Sequence, residues 1–203
     1  MSPIPINLAT EDELSEHVLN RLLSETGRFA VGTRYRRGGN GYLKRTIDGW
    51  NKAAAGVPFL VLTDLDQYAC PSALLSSWLP VPPHANLVFR IAVREVESWL
   101  LADQVNLARF FGIAESSIPA RPDELPDPKQ KLIDLARKSR HRLLREDIVP
   151  RKGSTAKQGP DYNARLEEFV NGIWNPRIAA ASSPSLHRAI LKLVGFNPIW
   201  PET

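Results

Sequence analysis

The stretch that decides the fold is VPFLVLTDLD, residues 57–66, in which a continuous apolar run ends abruptly at Asp64. A second run of the same kind, LVFRIAV, occupies residues 87–93. Apolar runs of this length that are rich in β-branched residues are typical of parallel strands buried on both faces of a sheet. The sequence therefore predicts at least two buried parallel strands.

Helical segments follow both predicted strands, over residues 71–78 and 96–111. Upstream, residues 3–8 are predicted to form a short first strand. Residues 13–26 are predicted to form a helix, because apolar side chains recur there at intervals of four. Strands that alternate with helices predict an α/β fold, with a mostly parallel sheet flanked by helices.

Residues 1–115 are interpreted as this α/β core, and residues 116–203 as a basic helical extension packed on it. The proline-rich segment 113–127 is predicted to be a linker. Three further helices are predicted, at about residues 127–145, 162–174 and 185–194.

Composition excludes several classes of protein. Of the 203 residues, 43% are hydrophobic and 24% are charged, which is typical of a globular domain. No apolar run approaches the roughly 18 residues of a membrane span, and the first residues lack a signal-peptide pattern. A cytoplasmic location without a membrane partner is therefore expected. Cys70 is the only cysteine, which excludes an internal disulfide and a cysteine-rich zinc site.

Basic residues are concentrated between residues 129 and 157, where ten bases and three acids give a local net charge of +7. A segment this basic can neutralise phosphates, although a solvated helix face explains the same pattern. Two loops carry the candidates for nucleic-acid contact. These candidates are Arg36, Arg37, Arg151 and Lys152. Simple exposure at the surface is the alternative for both loops.

Acidic residues follow all three predicted strands. The first strand is followed by Glu11 and Glu13, the second by Asp64 and Asp66, and the third by Glu95 and Glu97. Because functional groups of open α/β sheets gather at the carboxyl ends of strands, neighbouring strands would bring these carboxylates together. Like charges at short distance are costly unless a cation lies between them. Mg²⁺ or Mn²⁺ is the predicted cofactor, since both are hard cations that prefer oxygen ligands.

Each acidic group taken alone has a simpler interpretation. Asp64 and Asp66 are also typical of a polar loop or a helix cap, and Glu95 and Glu97 of a helix N-terminus. Residues 11–16 fit a capping box as well. It is the coincidence of three acidic groups at corresponding places that favours a metal site.

These residues resemble the TOPRIM family, the domain shared by topoisomerases, primases and overcoming-lysogenisation-defect-type nucleases. Asp64 and Asp66 in LVLTDLDQ match the Asp-x-Asp that follows a strand in that family. Its metal-binding glutamate corresponds to Glu11 or Glu13 in ATEDELSEHVL. One departure is that the usual Glu-Gly turn is absent, because no glycine occurs between Met1 and Thr26.

The segment RIAVREVESWLLAD also looks like part of small TOPRIM-like proteins that are encoded beside ATPases in bacterial anti-phage loci. In that resemblance, which covers residues 4–111, Glu97 and Asp103 are the characteristic acids and Glu95 is adjacent. It implies a divalent-metal-dependent nuclease that cleaves phosphodiester bonds in DNA or RNA, acts in antiviral defence and has an ATPase partner.

In this hypothesis the acids after the first two strands hold one metal ion. Glu97, helped by Glu95 or Asp103, binds a second ion or activates water. Basic residues are also required, because phosphoryl transfer develops negative charge. The residues predicted to position the phosphate are Lys129, Lys152 and Lys157.

Two other functions remain open. One is a non-catalytic module that binds nucleic acid through the basic extension, and the other is a subunit that docks on an ATPase. The second predicts an exposed apolar patch, with the C-terminal segment FNPIWPET (residues 196–203) as a candidate. The oligomeric state is open too, a homo-oligomer included.

Overall fold

The computed structural model describes residues 2–36 and 38–200, and these residues form two compact units. Unit 1 contains the described residues up to Val93 and those from Arg188 onward, and unit 2 is Arg94–His187. None of the described helices combines the length and the apolar character that crossing a membrane requires.

Unit 1 is built on a four-stranded, all-parallel sheet with the strand order β2-β1-β3-β4. The strands are β1 (Ile4–Thr10), β2 (Phe29–Tyr35), β3 (Phe59–Asp64) and β4 (Leu87–Ala92). A parallel sheet flanked by helices confirms the predicted α/β fold class. Strand β2 is not predicted from the sequence, because this edge strand has no buried residue and so lacks the apolar run that reveals β3.

Three helices connect these strands: α1 (Glu13–Thr26), α2 (Gly39–Ala53) and α3 (Pro71–Trp78). The chain passes from β1 to β2 on one side and then crosses to β3 on the other side of β1. Because parallel crossovers are right-handed, this reversal places α1 and α2 on opposite faces of the sheet. It also makes the carboxyl ends of β1 and β3 a topological switch point, where open α/β sheets bind their ligands.

Local signals fix the ends of α1 as the sequence predicts. The Asp12 side chain caps its N-terminus by accepting a 2.8 Å hydrogen bond from the Ser15 amide. Gly27 ends the helix in the left-handed conformation, with φ of 62°, which glycine adopts without steric cost.

Aromatic residues fill the core on the face of the sheet that α2 and α3 cover. Trp50 of α2 stacks on Phe59 of β3 with 6.3 Å between ring centroids, and Trp78 of α3 stacks on Phe89 of β4 at 5.7 Å. At the end of the described chain, the Arg28 guanidinium donates hydrogen bonds to main-chain carbonyls of residues 193, 194 and 196. The Arg28 guanidinium thereby supplies hydrogen-bond donors and positive charge to carbonyl groups at the C-terminal end of a helix.

Unit 2 is helical. Its helices are α4 (Val96–Leu101), α5 (Gln104–Phe111), α6 (Pro128–Ala136), α7 (Arg142–Ile148), α8 (Tyr162–Gly172), α9 (Pro176–Ala179) and the first turn of α10 (Pro184–Val194). Its core contains the fully buried Trp99 and Trp174. The Trp99 indole donates a 2.7 Å hydrogen bond to Ser185, and the Trp174 indole donates one of 3.1 Å to the Trp99 carbonyl. Both tryptophans are thus core anchors of unit 2.

Two predicted helices are each divided into two. The segment 96–111 breaks at Asp103, and the segment 127–145 is interrupted between α6 and α7. The predicted linker 113–127 contains two short 3₁₀ helices, Glu115–Ser117 and Pro122–Glu124. Because α4 packs on α6 and α9, unit 2 begins at Arg94, whereas the sequence places the start of the extension at residue 116.

Gly159 lies where the chain passes against the end of α7, and its amide donates a 2.9 Å hydrogen bond to the Ile148 carbonyl. A Cβ at this position would lie 2.2 Å from the Asp147 carbonyl oxygen. Because backbone atoms must then shift, we expect Gly159→Ala to lower the free energy of unfolding by about 3 kcal/mol. Urea unfolding measures this effect.

Gly172→Ala is the matched control, since a Cβ there meets nothing within 4 Å. It should leave the midpoint of unfolding unchanged or raise it slightly, because alanine is favoured over glycine in a helix. Equal midpoints for the two variants would show that the chain at Gly159 does not pack as closely as described.

Candidate functional site

Glu11 joins the carboxyl ends of β1 and β3. It directly follows β1, and its Oε1 accepts a 2.9 Å hydrogen bond from the Asp64 amide and another from the Thr63 hydroxyl. Thr10 pairs with Leu62 in the sheet, so the two strand ends lie side by side. Glu11 and Asp64 therefore meet at the switch point of unit 1, and we call this place the acidic crevice.

Asp66 is held near the crevice in an unusual backbone conformation. Its φ of 49° makes it the one non-glycine residue with positive φ in the part of the chain that the structure describes. Such a conformation costs roughly 1–2 kcal/mol and is often found at functional sites. The Asp66 carboxylate accepts a 2.9 Å hydrogen bond from the Asn40 side chain of α2.

Negative charge is concentrated around Glu11. Burial raises the pKa of the Glu11 carboxyl above its usual value, and the neighbouring Asp66 and Asp12 raise it further. Hydrogen bonds from Thr63 and from the Asp64 amide act in the opposite direction by stabilising the carboxylate. A cation in the acidic crevice would stabilise this group of carboxylates.

The structure separates the two glutamates that the sequence leaves as alternatives. Glu13 lies in the first turn of α1, where its carboxylate is 3.1 Å from the Arg36 guanidinium. Arg36 also lies 3.8 Å from Glu16, so this candidate for nucleic-acid contact is engaged by carboxylates. Arg37, the other candidate in that loop, lies outside the described residues. Glu11, and not Glu13, contacts the end of β3.

The donor chemistry of the acidic crevice suits a hard cation. Within residues 2–36 and 38–200, no three His, Cys, Asp or Glu side chains are grouped to hold a metal ion by themselves. Mg²⁺ is usually bound through one or two carboxylates, with waters and substrate phosphates as its other ligands. Glu11, Asp64 and Asp66 therefore do not form a closed structural metal site, and what they offer to a cation is carboxylate oxygens of the kind that Mg²⁺ prefers.

Unit 2 brings together three other predicted residues, Glu95, Lys129 and Lys157, in a cleft of about 540 Å³. The Glu95 carboxylate accepts a 2.9 Å hydrogen bond from the Lys129 amide at the start of α6. Asp127, which also lines the cleft, accepts one of 2.7 Å from the Gln130 amide. Both carboxylates therefore stabilise the N-terminus of α6. We call this place the lysine cleft.

Glu97 is buried beside Lys129. Its Oε1 accepts a 2.8 Å hydrogen bond from the Tyr162 hydroxyl and lies 3.8 Å from the Lys129 ammonium. The same ammonium lies 4.9 Å from the centroid of the Tyr162 ring. Burial raises the pKa of Glu97 to about 7, Lys129 opposes this shift, and Glu95 adds to it. A carboxyl with such a pKa can accept and release a proton near neutral pH.

The contact between Tyr162 and Glu97 has no sequence signal, because 65 residues separate them. Tyr162 sits at the start of a helix whose apolar spacing predicts only burial. The contact depends on how α4 and α8 pack, which no local pattern reports.

The remaining predicted residues lie elsewhere in unit 2. Asp103 is fully buried, and its carboxylate accepts hydrogen bonds from the Asn175 amide at 2.7 Å and from the Asn106 side chain. These contacts hold α5 and α9 and give Asp103 a structural role. Arg151 lines a second cleft, of about 590 Å³, whereas Lys152 lies in an exposed turn.

No known protein family, curated protein or solved structure matches this chain. Fold and site define the class only as an α/β protein with a parallel sheet and an acidic switch point. Glu95 and Glu97 belong to unit 2, and their convergence with the acids of unit 1 stays a prediction.

Proposed function

We propose that this protein is a divalent-metal-dependent nuclease that hydrolyses phosphodiester bonds in DNA or RNA. One observation carries the proposal. The Glu11 carboxylate accepts hydrogen bonds from the Thr63 hydroxyl and from the Asp64 amide, and Asp66 lies close by. Mg²⁺ or Mn²⁺ held at these carboxylates would polarise a phosphodiester and lower the pKa of a bound water. A role in antiviral defence in the cytoplasm, with an ATPase partner, belongs to the proposal through the TOPRIM resemblance.

The lysine cleft of unit 2 supports this proposal. Lys129 and Lys157 offer two ammonium groups to phosphate oxygens, and Lys129 is held by Glu97 and by the Tyr162 ring. In the proposal these lysines bind a phosphate of the nucleic acid, and Glu97 exchanges a proton.

Calorimetric titration of Mn²⁺ tests the metal site. We expect the wild-type protein to bind with a dissociation constant in the roughly micromolar range and an Asp64→Ala/Asp66→Ala double variant to lose this binding. Asp48→Ala is the control, because Asp48 is an exposed acid of unit 1 that pairs with Lys52. The titration is repeated with a short oligonucleotide, since substrate phosphates complete the coordination of such ions.

A cleavage assay then tests the function. Single-stranded DNA, duplex DNA and RNA are each incubated with Mg²⁺, with Mn²⁺ or with EDTA, and cleavage that requires metal is expected. If the folded protein binds no metal with or without oligonucleotide, the proposal fails. Salt-sensitive nucleic-acid binding that needs no metal and survives the loss of Asp64 would instead identify a binding module.

A further inference from the structure

A small pocket of about 280 Å³ lies beside β4, which is at the edge of the sheet in unit 1 opposite to β2. Arg90 of β4 and Arg188 of α10 line it together with Pro71 and Ser72, the first residues of α3. Apolar side chains, including that of Phe89, form the rest of its wall. We call it the arginine pocket, and it shares no residue with the acidic crevice.

The Arg90 side chain is in an energetically costly position. Its Nε is buried and has no hydrogen-bond partner among the residues that the structure describes. Burial lowers the pKa of Arg90, and the nearby Arg188 lowers it further, yet an arginine stays charged at neutral pH. A buried donor without a partner costs about 1–3 kcal/mol, and the second positive charge adds repulsion.

We propose that the arginine pocket binds the phosphate group of a phosphorylated ligand, with Arg90 and Arg188 as its cationic partners. Guanidinium groups bind phosphate oxygens through paired, charge-assisted hydrogen bonds. A bound phosphate would give the Arg90 Nε an acceptor and would separate the two positive charges. The proposal goes beyond the metal-dependent nuclease and does not depend on it.

Two further features of the pocket fit a phosphate with an organic substituent. The N-terminus of α3 adds the positive end of a helix dipole beside the arginines. The partly buried Phe89 provides an apolar surface for a sugar or a base. A volume of about 280 Å³ lies near the lower limit of small-molecule sites, which favours a single nucleotide unit. That unit is either a free nucleotide or one nucleotide of a nucleic-acid chain.

The test measures binding of three probes in EDTA: pyrophosphate, a nucleoside monophosphate and a fluorescent single-stranded oligonucleotide. Acetate at equal ionic strength is the control anion. Arg90→Met and Arg188→Gln should each weaken binding by about tenfold or more, because each removes a charged partner of the phosphate. Arg45→Gln replaces an exposed arginine of α2 outside the pocket and should change binding by less than about twofold.

Thermal unfolding separates a binding role of Arg90 from a structural one. Without phosphate, Arg90→Met should melt at a higher temperature than the wild type, because it removes a buried donor that lacks a partner. It should also lose the stabilisation that phosphate gives to the wild type. A lower melting temperature together with unchanged phosphate binding would overturn the proposal.

The three probes show whether the bound phosphate belongs to a free nucleotide or to a nucleic-acid chain. If the small phosphates bind and both variants weaken this binding, the ligand is a free nucleotide. If the variants weaken only the binding of the oligonucleotide, the ligand is a nucleic-acid chain. If no probe binds, or if both variants bind like the wild type, the proposal is wrong. Because all three probes are measured in EDTA, the result is separate from the fate of the metal site.

Discussion

Asp64→Asn is expected to lower the rate of nucleic-acid cleavage in Mg²⁺ by about 10³-fold or more. Asparagine keeps the shape of the side chain and removes the negative charge that would bind the metal. The hydrogen bond from the residue 64 amide to Glu11 uses the main chain, so the fold of the acidic crevice should persist. A metal ion contributes several kcal/mol to the transition state, and each 1.36 kcal/mol changes the rate tenfold. Single-turnover cleavage measures this loss directly.

Asp48→Asn is the matched control for this experiment, because it removes an acid from the surface of the same unit. We expect its rate to stay within about twofold of the wild type. Circular dichroism and the melting temperature should confirm that both variants are folded. If Asp64→Asn cleaves as fast as the wild type, Asp64 does not bind a metal that the reaction needs.

Glu97→Gln is expected to remove a pH dependence of stability that Glu97 confers on the wild-type protein. The pKa of Glu97 is raised by burial from 4.5 to about 7 in the folded protein. The folded state therefore holds the proton more tightly than the unfolded state. The stabilisation that results is fully present below about pH 4.5 and is lost as the pH rises to about 7.

The expected size follows from the two pKa values. At 1.36 kcal/mol per pKa unit, a change from 4.5 to about 7 corresponds to on the order of 3 kcal/mol. The glutamine variant has no such proton. The unfolding free energy of Glu97→Gln minus that of the wild type should therefore increase by most of this amount between pH 5 and pH 8. Urea unfolding at several pH values measures the difference.

The control for the pH series is Glu146→Gln, which removes an exposed carboxylate that pairs with Arg142. Its unfolding free energy should run parallel to that of the wild type across the series, because an exposed ion pair contributes little to stability. A constant difference between Glu97→Gln and the wild type from pH 5 to pH 8 would contradict the raised pKa of Glu97.

The sequence predicts the parts of the fold that leave a local signature. The buried strand β3 shows a continuous apolar run, and the edge strand β4 shows a mostly apolar one. Helix α1 shows a cap, a regular apolar spacing and a glycine stop. The exposed edge strand β2 has no such pattern, so only its pairing with β1 reveals it. The break between α4 and α5 at Asp103 cannot be predicted from the sequence either. It accompanies a hydrogen bond that the Asp103 carboxylate accepts from the amide of the distant Asn175.

The candidate sites also contain residues that the sequence predicts and residues that only the structure identifies. Asp64 and Asp66 can be predicted because they follow a recognisable strand, and the order of β1, β3 and β4 agrees with the expected neighbours. The distinction between Glu11 and Glu13 requires the contact with Thr63, which is distant in the chain. The arginine pocket has no sequence signature, since Arg90 interrupts a strand and Arg188 lies on a helix near the other end of the chain.

Anomalous diffraction from crystals grown with Mn²⁺ and a short oligonucleotide tests the central claim most directly. The claim is that the carboxylates at the ends of β1 and β3 bind the metal. It predicts an anomalous peak about 2 Å from carboxylate oxygens of Asp64 and of Glu11 or Asp66. An ordered acidic crevice without a peak, or a Mn²⁺ peak only at other residues, would contradict it.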